Sequence, residues 1–296
     1  DVYKRQAVTG HCCCAGRMAG SPQFRQAMFC VPALKEPKPK GENKTLKELT
    51  MLLVIDCGNT NTVISVFDGL EKLAMWRMAT DSKQTADDHA VWLDHHMKRA
   101  SIPGDAITGA VIGSVVPACL PAFKRLISKH YGFEPLIIDG KDPAHGVAVR
   151  IDRPEQAGAD RIANSAGAAE YPLPAMVIDF GTATTFDLID ADGAYIGGTI
   201  SPGVNLSVDA LYEAAARLPL IDPASWNTEM PVIGQNTVDA MNAGLFYGYI
   251  SLVEGMIDKL GAATGTPMTV IATGGLSALF PSAIRGVDHH APDLTL

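Results

Sequence analysis

The chain has 296 residues, a formal net charge of −8 and only 6% aromatic residues, with Gly and Ala abundant enough for helices to pack closely on sheets. Residues 1–50 hold nine Lys/Arg against four Asp/Glu, which leaves the rest near −13, a field that argues against nucleic acid or anionic membrane as partner. Four of the six cysteines also lie in that stretch, so Cys57 and Cys119 alone remain; they make no disulfide framework and fit a reducing cytoplasm.

Residues 1–50 read as a disordered or artefactual leader, with Met51 as the start of the fold. They have scattered single apolar residues, no run long enough for a membrane span or signal core, and a cysteine cluster (Cys12, Cys13, Cys14) without metal-finger spacing. From Leu53 to Gly69 the chain reads as a buried strand ending in Asp56, a tight loop, and a half-buried strand stopping at Asp68-Gly69, a hairpin-turn signal. Met176 to Gly193 repeats the pattern, with Asp179 in the place of Asp56. This internal duplication predicts two similar half-domains sharing a cleft.

Around those repeats, a third strand is expected over Leu70–Met78, and Thr85-Ala86-Asp87-Asp88 predicts a capping box opening a helix with Ala90, Leu93, Met97 and Ala100 on one face. His89, His95 and His96 are assigned to its solvated face. A strand over 110–116, a helix over 121–130 with Gly132 as its C-cap, and a strand over 135–139 complete the first half. Pro154 precedes an Ala-rich helix with Ile162, Ala166 and Ala169 on one face. In the second half, Tyr195–Ile200 is a strand. Ser201-Pro202-Gly203 turns into a helix carrying Val208, Leu211 and Tyr212. A long helix from Gly234–Thr237 onward presents Val238, Met241, Leu245, Leu252, Met256 and Leu260 as core, or as core shared with a second subunit, and a strand over 269–272 ends at Thr273-Gly274-Gly275.

The loops carry the chemistry. Gly58 and Gly181 let backbone approach a ligand, and the hydroxyls, amides and N–H groups of Asn59, Thr60, Asn61, Thr62, Thr182, Thr184 and Thr185 suit phosphate oxygens. Asp56 and Asp179, at the ends of buried strands, are positioned to hold a cation directly or through water. One such loop is an ordinary polar hairpin; two make a nucleotide-phosphate site the better reading. The P-loop pattern is absent. Gly158-Ala159-Asp160-Arg161 contains an Asp-Arg neighbour pair that alone reads as a surface ion pair, and becomes a substrate contact only by lying between two phosphate loops.

Several motifs occur in order: D-x-G-N-T at Asp56–Thr60, S-V-V-P at Ser114–Pro117, G-A-D-R at Gly158–Arg161, D-x-G-T-A-T-T at Asp179–Thr185, G-G-x-I-x-P-G at Gly197–Gly203, L-P at Leu218-Pro219, N-T at Asn236-Thr237 and T-G-G at Thr273–Gly275. From Met51 onward the chain resembles the type III pantothenate kinases of the actin-like/sugar-kinase ATPase superfamily. The resemblance implies an α/β fold of two duplicated actin-like (ribonuclease H-like) domains flanking a nucleotide cleft, here divided as 51–165 and 166–296. It implies ATP-dependent phosphorylation of pantothenate to 4′-phosphopantothenate, the entry step to coenzyme A, with Mg²⁺ and K⁺ or NH₄⁺ as cofactors, in a homodimer.

Carried over by residue, the resemblance implies that Asp56, Cys57, Gly58, Asn59, Thr60, Asn61, Thr62 and Val63 hold the ATP phosphates, with Thr182 helping. Asp179 binds the monovalent cation. Gly158, Ala159, Asp160 and Arg161 hold pantothenate, Asp160 as the base and Arg161 near the carboxylate, with Thr237 a further contact. Many members have Tyr-Asp-Asn-Pro where this chain has Ile151-Asp152-Arg153-Pro154, and the family continues through a short segment beyond the position of Leu296. The alternatives are another small-molecule kinase of the superfamily, for sugars or acetate, and a non-catalytic nucleotide-binding accessory factor of a transcriptional regulator. The complete tetrad and both Asp loops favour the pantothenate enzyme, because a binding module needs no positioned base.

Overall fold

In the computed structural model, residues 51–280 and 283–296 are described; the expected leader, residues 1–50, lies outside them. Two five-stranded sheets share one plan. In the first, β1 (Met51–Cys57), β2 (Asn61–Asp68) and β3 (Glu71–Ala79) run antiparallel. The strands β4 (Ile107–Ser114) and β5 (Leu136–Ile137) join in parallel beyond β1, giving the order β3-β2-β1-β4-β5. In the second, β6 (Ala175–Phe180), β7 (Ala183–Ile189) and β8 (Tyr195–Pro202) are antiparallel, with β9 (Thr269–Thr273) and β10 (His289–His290) parallel on the far side of β6, in the order β10-β9-β6-β7-β8. Read from the opposite edge, the second order matches the first, so the duplication seen in the loops extends to the whole sheets.

Alternation along β1 explains how one strand serves both core and cleft. Leu53, Ile55 and Cys57 are fully buried on one face, against α1 (Ala86–Arg99) and α2 (Leu120–His130) through Leu93, Met97, Phe123 and Leu126. Asp56 therefore points to the other face. The capping box forms as expected: the Thr85 hydroxyl accepts the Asp88 N–H at 3.3 Å and the Asp88 carboxylate accepts the Thr85 N–H at 2.8 Å. His89 departs from its solvated assignment. It is buried and stacks on Phe123 at 4.4 Å, and its burial pushes its pKa down, since a charged imidazole there would lose its hydration. Tyr131 occupies the α2 cap, with Gly132 one position beyond in the left-handed region at φ 81°.

The second core gathers Phe180, Phe246, Tyr249 and Phe280 with Trp226 between α4 (Val204–Ala214), α5 (Thr237–Thr264) and the second sheet. Helix α5 begins at Asn236, whose side chain accepts the Asp239 N–H at 3.0 Å, and stops at the left-handed Gly265. Met241 is buried as expected, but Val238 (44% exposed) and Tyr212 (46% exposed) face outward. The two-residue β10 was not expected; it is too short to carry a periodicity.

The element that matters most for function is α3 (Ala159–Ala168), which packs against β4 of the first sheet and against β6 and β7 of the second. Gly113 on β4 faces the start of this helix: a Cβ there would stand 3.5 Å from the Ala159 Cβ, in ordinary van der Waals contact. The buried residues of α3 are Ala159, Ile162, Asn164, Ser165 and Ala168, while Ala166, expected on the inner face, is exposed. The sequence pattern turns the polar residues of this helix outward, whereas Asn164 and Ser165 are buried and satisfied by hydrogen bonds there. The division at 165/166 lies inside this helix.

Candidate active site

The two hairpin loops meet. Thr60 Oγ1 and Thr182 Oγ1 lie 3.1 Å apart across 122 residues of sequence. The first loop is closed by the Gly58 N–H donating to the Asn61 carbonyl at 3.0 Å, and the Thr80 hydroxyl at the end of β3 donates to the Gly58 carbonyl at 2.7 Å. Asn59, Thr60 and Asn61 are exposed at its tip, Thr62 and Val63 are buried at its base, and Cys57 lies on the core side. The second loop is braced from behind by the turn into α4. A Cβ on Gly203 would fall 2.3 Å from the Thr182 carbonyl oxygen and 2.6 Å from that of Gly181, so no larger residue fits there.

Helix α3 delivers the third component. Gly158 is its N-cap and Asp160 lies in its first turn, where the helix dipole favours negative charge. The Asp160 carboxylate accepts the Arg161 N–H at 2.8 Å. One turn further on, the buried Asn164 donates to Asp179 Oδ2 at 3.1 Å and accepts the Thr295 hydroxyl at 2.9 Å. The Arg161 Nε donates to Asp187 Oδ1 at 2.5 Å, and Asp187, wholly buried, also accepts the Thr185 hydroxyl at 3.1 Å. The Arg161 guanidinium lies over the Tyr195 ring at 5.4 Å, and its Nη2 is buried without a hydrogen-bond partner among the described residues.

Electrostatics follow from this crowding. Burial, then repulsion from Asp160 and Asp179, pushes the Asp56 carboxyl up to about 7, opposed by the Arg77 charge. Burial likewise lifts Asp179 to about 6; the Asn164 hydrogen bond opposes it, and Asp160 and Asp187 add repulsion. Asp160 and Asp187 are also raised by burial, Arg161 pulling both back. These aspartates therefore interact through space from both sheets and from α3. Among the described residues no group of three or more His, Cys, Asp or Glu is arranged to hold a metal unaided. Mg²⁺ commonly needs only one or two protein carboxylates with substrate phosphates.

Thr237 does not join this group directly. It is exposed at the first position of α5, and no side-chain hydrogen bond links it to the tetrad among the described residues. Three residues of the site escaped sequence reading. Asn164 is an unremarkable polar residue in an Ala-rich helix, and Arg77 is one of several scattered arginines. Asp187 had a usable signal: it is a charge inside an apolar strand and must be paired if buried. Ile151, at the position of the family's Tyr, packs with Val147, Ile162 and Tyr195 beneath Arg161. Two surface hollows at the far edge of the second sheet, one of about 490 Å³ beside Pro174 and His289, contain none of these residues.

Two sheets of the same order, each ending in an aspartate and a hydroxyl-rich turn that meets its counterpart, define a duplicated actin-like α/β fold. Solved structures similar to it include a conserved putative Baf family transcriptional activator from Campylobacter jejuni (TM-score 0.51, 18% identity, 82% of this chain and 92% of that one). Another is a putative 2-dehydro-3-deoxygalactonokinase from Sinorhizobium meliloti (TM-score 0.50, 17% identity, 82% and 92%). At these identities they speak to the fold alone. The family model for type III pantothenate kinase matches residues 52–259. Relatives of that name are 48% identical in Caulobacter vibrioides (83% of this chain, 94% of the relative) and 47% identical in Phenylobacterium zucineum (83% and 95%). The chain belongs to the type III pantothenate kinase family.

The raised carboxyls give a stability prediction. A carboxyl whose folded pKa exceeds its unfolded value of about 3.9 binds more protons when folded, so its contribution to stability falls as pH rises from about 4 through its folded pKa. For Asp179 that loss is complete above about 6, and for Asp56 above about 7. Asp179→Asn, which retains a hydrogen-bond acceptor for Asn164, should raise the melting temperature of the ligand-free protein at pH 8 and raise it less at pH 5. Thermal melts at the two pH values test this; an equal fall at both would contradict the repulsion.

Proposed function

We propose that this chain transfers the γ-phosphoryl group of ATP to the hydroxyl of pantothenate, forming 4′-phosphopantothenate in the first step of coenzyme A synthesis, in the cytoplasm. The observation that carries the reading is the position of Asp160, close enough in space to both Asp56 and Asp179 to raise their pKa values. In this reading Asp160 is the base, standing near the two loops that take the phosphates. Phosphoryl transfer through a loose transition state needs alignment and charge neutralisation more than a strong base, and a partly raised carboxyl suits a late proton acceptance.

In this reading Asp56 to Val63 hold the ATP phosphates with Thr182 across the cleft, which the contact between the Thr60 and Thr182 hydroxyls supports. Gly158 to Arg161 hold pantothenate. Asp160 takes the proton of its hydroxyl, and Arg161, with Nε tied to Asp187, keeps Nη2 for its carboxylate. Thr237 supplies a further contact. Asp179 holds K⁺ or NH₄⁺. The Asp179 carboxylate beside the backbone carbonyls of the Gly181-Thr182 turn offers the oxygen donors a large monovalent ion takes, and Gly274 at φ 92° lets the β9 turn lie against that carboxylate. Asp56 suits Mg²⁺, since a carboxyl so raised gains most from a nearby cation. When bound, Mg²⁺ neutralises the β- and γ-phosphoryl oxygens. The residues 51–165 and 166–296 act as the two lobes with α3 at their junction. A homodimer fits the exposed Ile200, Val232 and Ile233, which are 66, 69 and 81% exposed.

The direct test is an ADP-release assay with pantothenate against a panel of sugars and acetate. Asp160→Asn should cut kcat by roughly 10²–10⁴-fold, the scale of general-base loss, while ATP affinity barely changes. A folded variant turning over within a few-fold of the parent would remove Asp160 from the chemistry. The same assay in K⁺, NH₄⁺ and Na⁺ buffers should give high rates in the first two and little in the third; equal rates would remove the cation role of Asp179.

A further inference from the structure

The phosphate loops themselves contain no lysine or arginine, and the arginine of the tetrad is held through Nε by Asp187 on the substrate side. Four aspartates converge on a cleft that must accept a polyanionic nucleotide. A cation from elsewhere in the fold is needed beside them, in addition to any metal ion.

Strand β3 provides one. In the antiparallel register Arg77 is opposite Val63, and Val63 is opposite Asp56, so the three stand abreast on the same face of the first sheet. The neighbours Trp76 and Met78 pack into the first core, and alternation turns Arg77 to the cleft side, where it is exposed. Its side chain spans the gap between the halves. Nη1 lies 3.8 Å from where a Cβ would stand on Gly275, in the turn that follows β9. The preceding residue of that turn, Gly274, is the one pressed against Asp179. Arg77 has no carboxylate within ion-pairing distance among the described residues, although its charge is felt by Asp56. The residue just after that strand is Thr80, whose hydroxyl fixes the Gly58 carbonyl. One strand thus both shapes the first loop and carries a free guanidinium over it.

We propose that Arg77 is a phosphate-binding residue, its guanidinium reaching from the edge of the first sheet across the cleft to the nucleotide's phosphoryl oxygens. A planar guanidinium can engage two such oxygens at once, and it stays charged at every working pH. It neutralises charge on the side of Asp56 away from α3, opposite the substrate tetrad. This inference rests on the assignment of residues 56–63 as the phosphate loop.

The test compares ATP with adenosine by calorimetry, without pantothenate, in the full chain and in Arg77→Gln and Arg77→Lys. Arg77→Gln should weaken ATP roughly ten- to hundredfold, the scale of one charge-assisted hydrogen bond, and leave adenosine unchanged. Arg77→Lys should recover part of the loss, because it restores charge without the planar fork. Circular dichroism melts establish that both variants are folded. ATP affinity within twofold of the parent in Arg77→Gln, or a parallel loss for adenosine, would overturn the role of Arg77. A parent that binds ATP no better than adenosine would overturn the phosphate loop itself and Arg77 with it.

Discussion

Carboxylates buried near one another repel, and a fold that gathers Asp56, Asp160, Asp179 and Asp187 into one region must hold them there against that repulsion. None of them is fully solvated, and burial is the largest cause of the raised pKa in each. Arg161 offsets part of it for Asp187 and Asp160, and Asn164 for Asp179. Asp56 has only the more distant Arg77 charge to offset its burial, which pushes its carboxyl up to about 7. A site built this way is destabilising when empty and becomes favourable once cations enter, which is how buried anions are commonly retained in functional clefts.

Helix α3 makes the arrangement possible. It lies on Gly113 of the first sheet and on β6 and β7 of the second, and within two turns it presents Asp160, Arg161 and Asn164 to groups that belong to different strands. Relative movement of the sheets would therefore change the distances among the aspartates directly. Helix α3 also ties the end of the chain to the site, through Thr295 on Asn164 and through Gly167, where a Cβ would fall 2.6 Å from the Leu294 carbonyl oxygen. Substrate contacts, cation site and C-terminal residues thus share one short helix.

Much of this was legible in the sequence for a physical reason: the two Asp-x-Gly hairpins are local, and local turn chemistry survives folding unchanged. The likeness of the two halves followed from duplication, and the capping box of α1 from its spacing. What remained hidden depended on long-range register. That Arg77 stands abreast of Asp56 follows from two strand pairings, neither visible in one strand alone. Asn164 is buried because its partners, Asp179 and Thr295, come from distant parts of the chain. His89 was misread as solvated because three histidines near one helix suggest a wet face, whereas Phe123 on α2 takes one of them into the core. Thr237 carries a family motif, but its exposed place at the start of α5 gives no local contact with the tetrad.

The claim on which the rest depends is that Asp56 is held in a repulsive, dehydrated setting that a bound cation and nucleotide relieve. Carbon-detected NMR titration of its carboxyl carbon measures this directly. In the ligand-free protein the midpoint should lie near 7, and with Mg²⁺ and ADP it should fall towards the ordinary carboxylate value of about 3.9. A midpoint near 4 in the free protein, unmoved by Mg²⁺ and ADP, would contradict it.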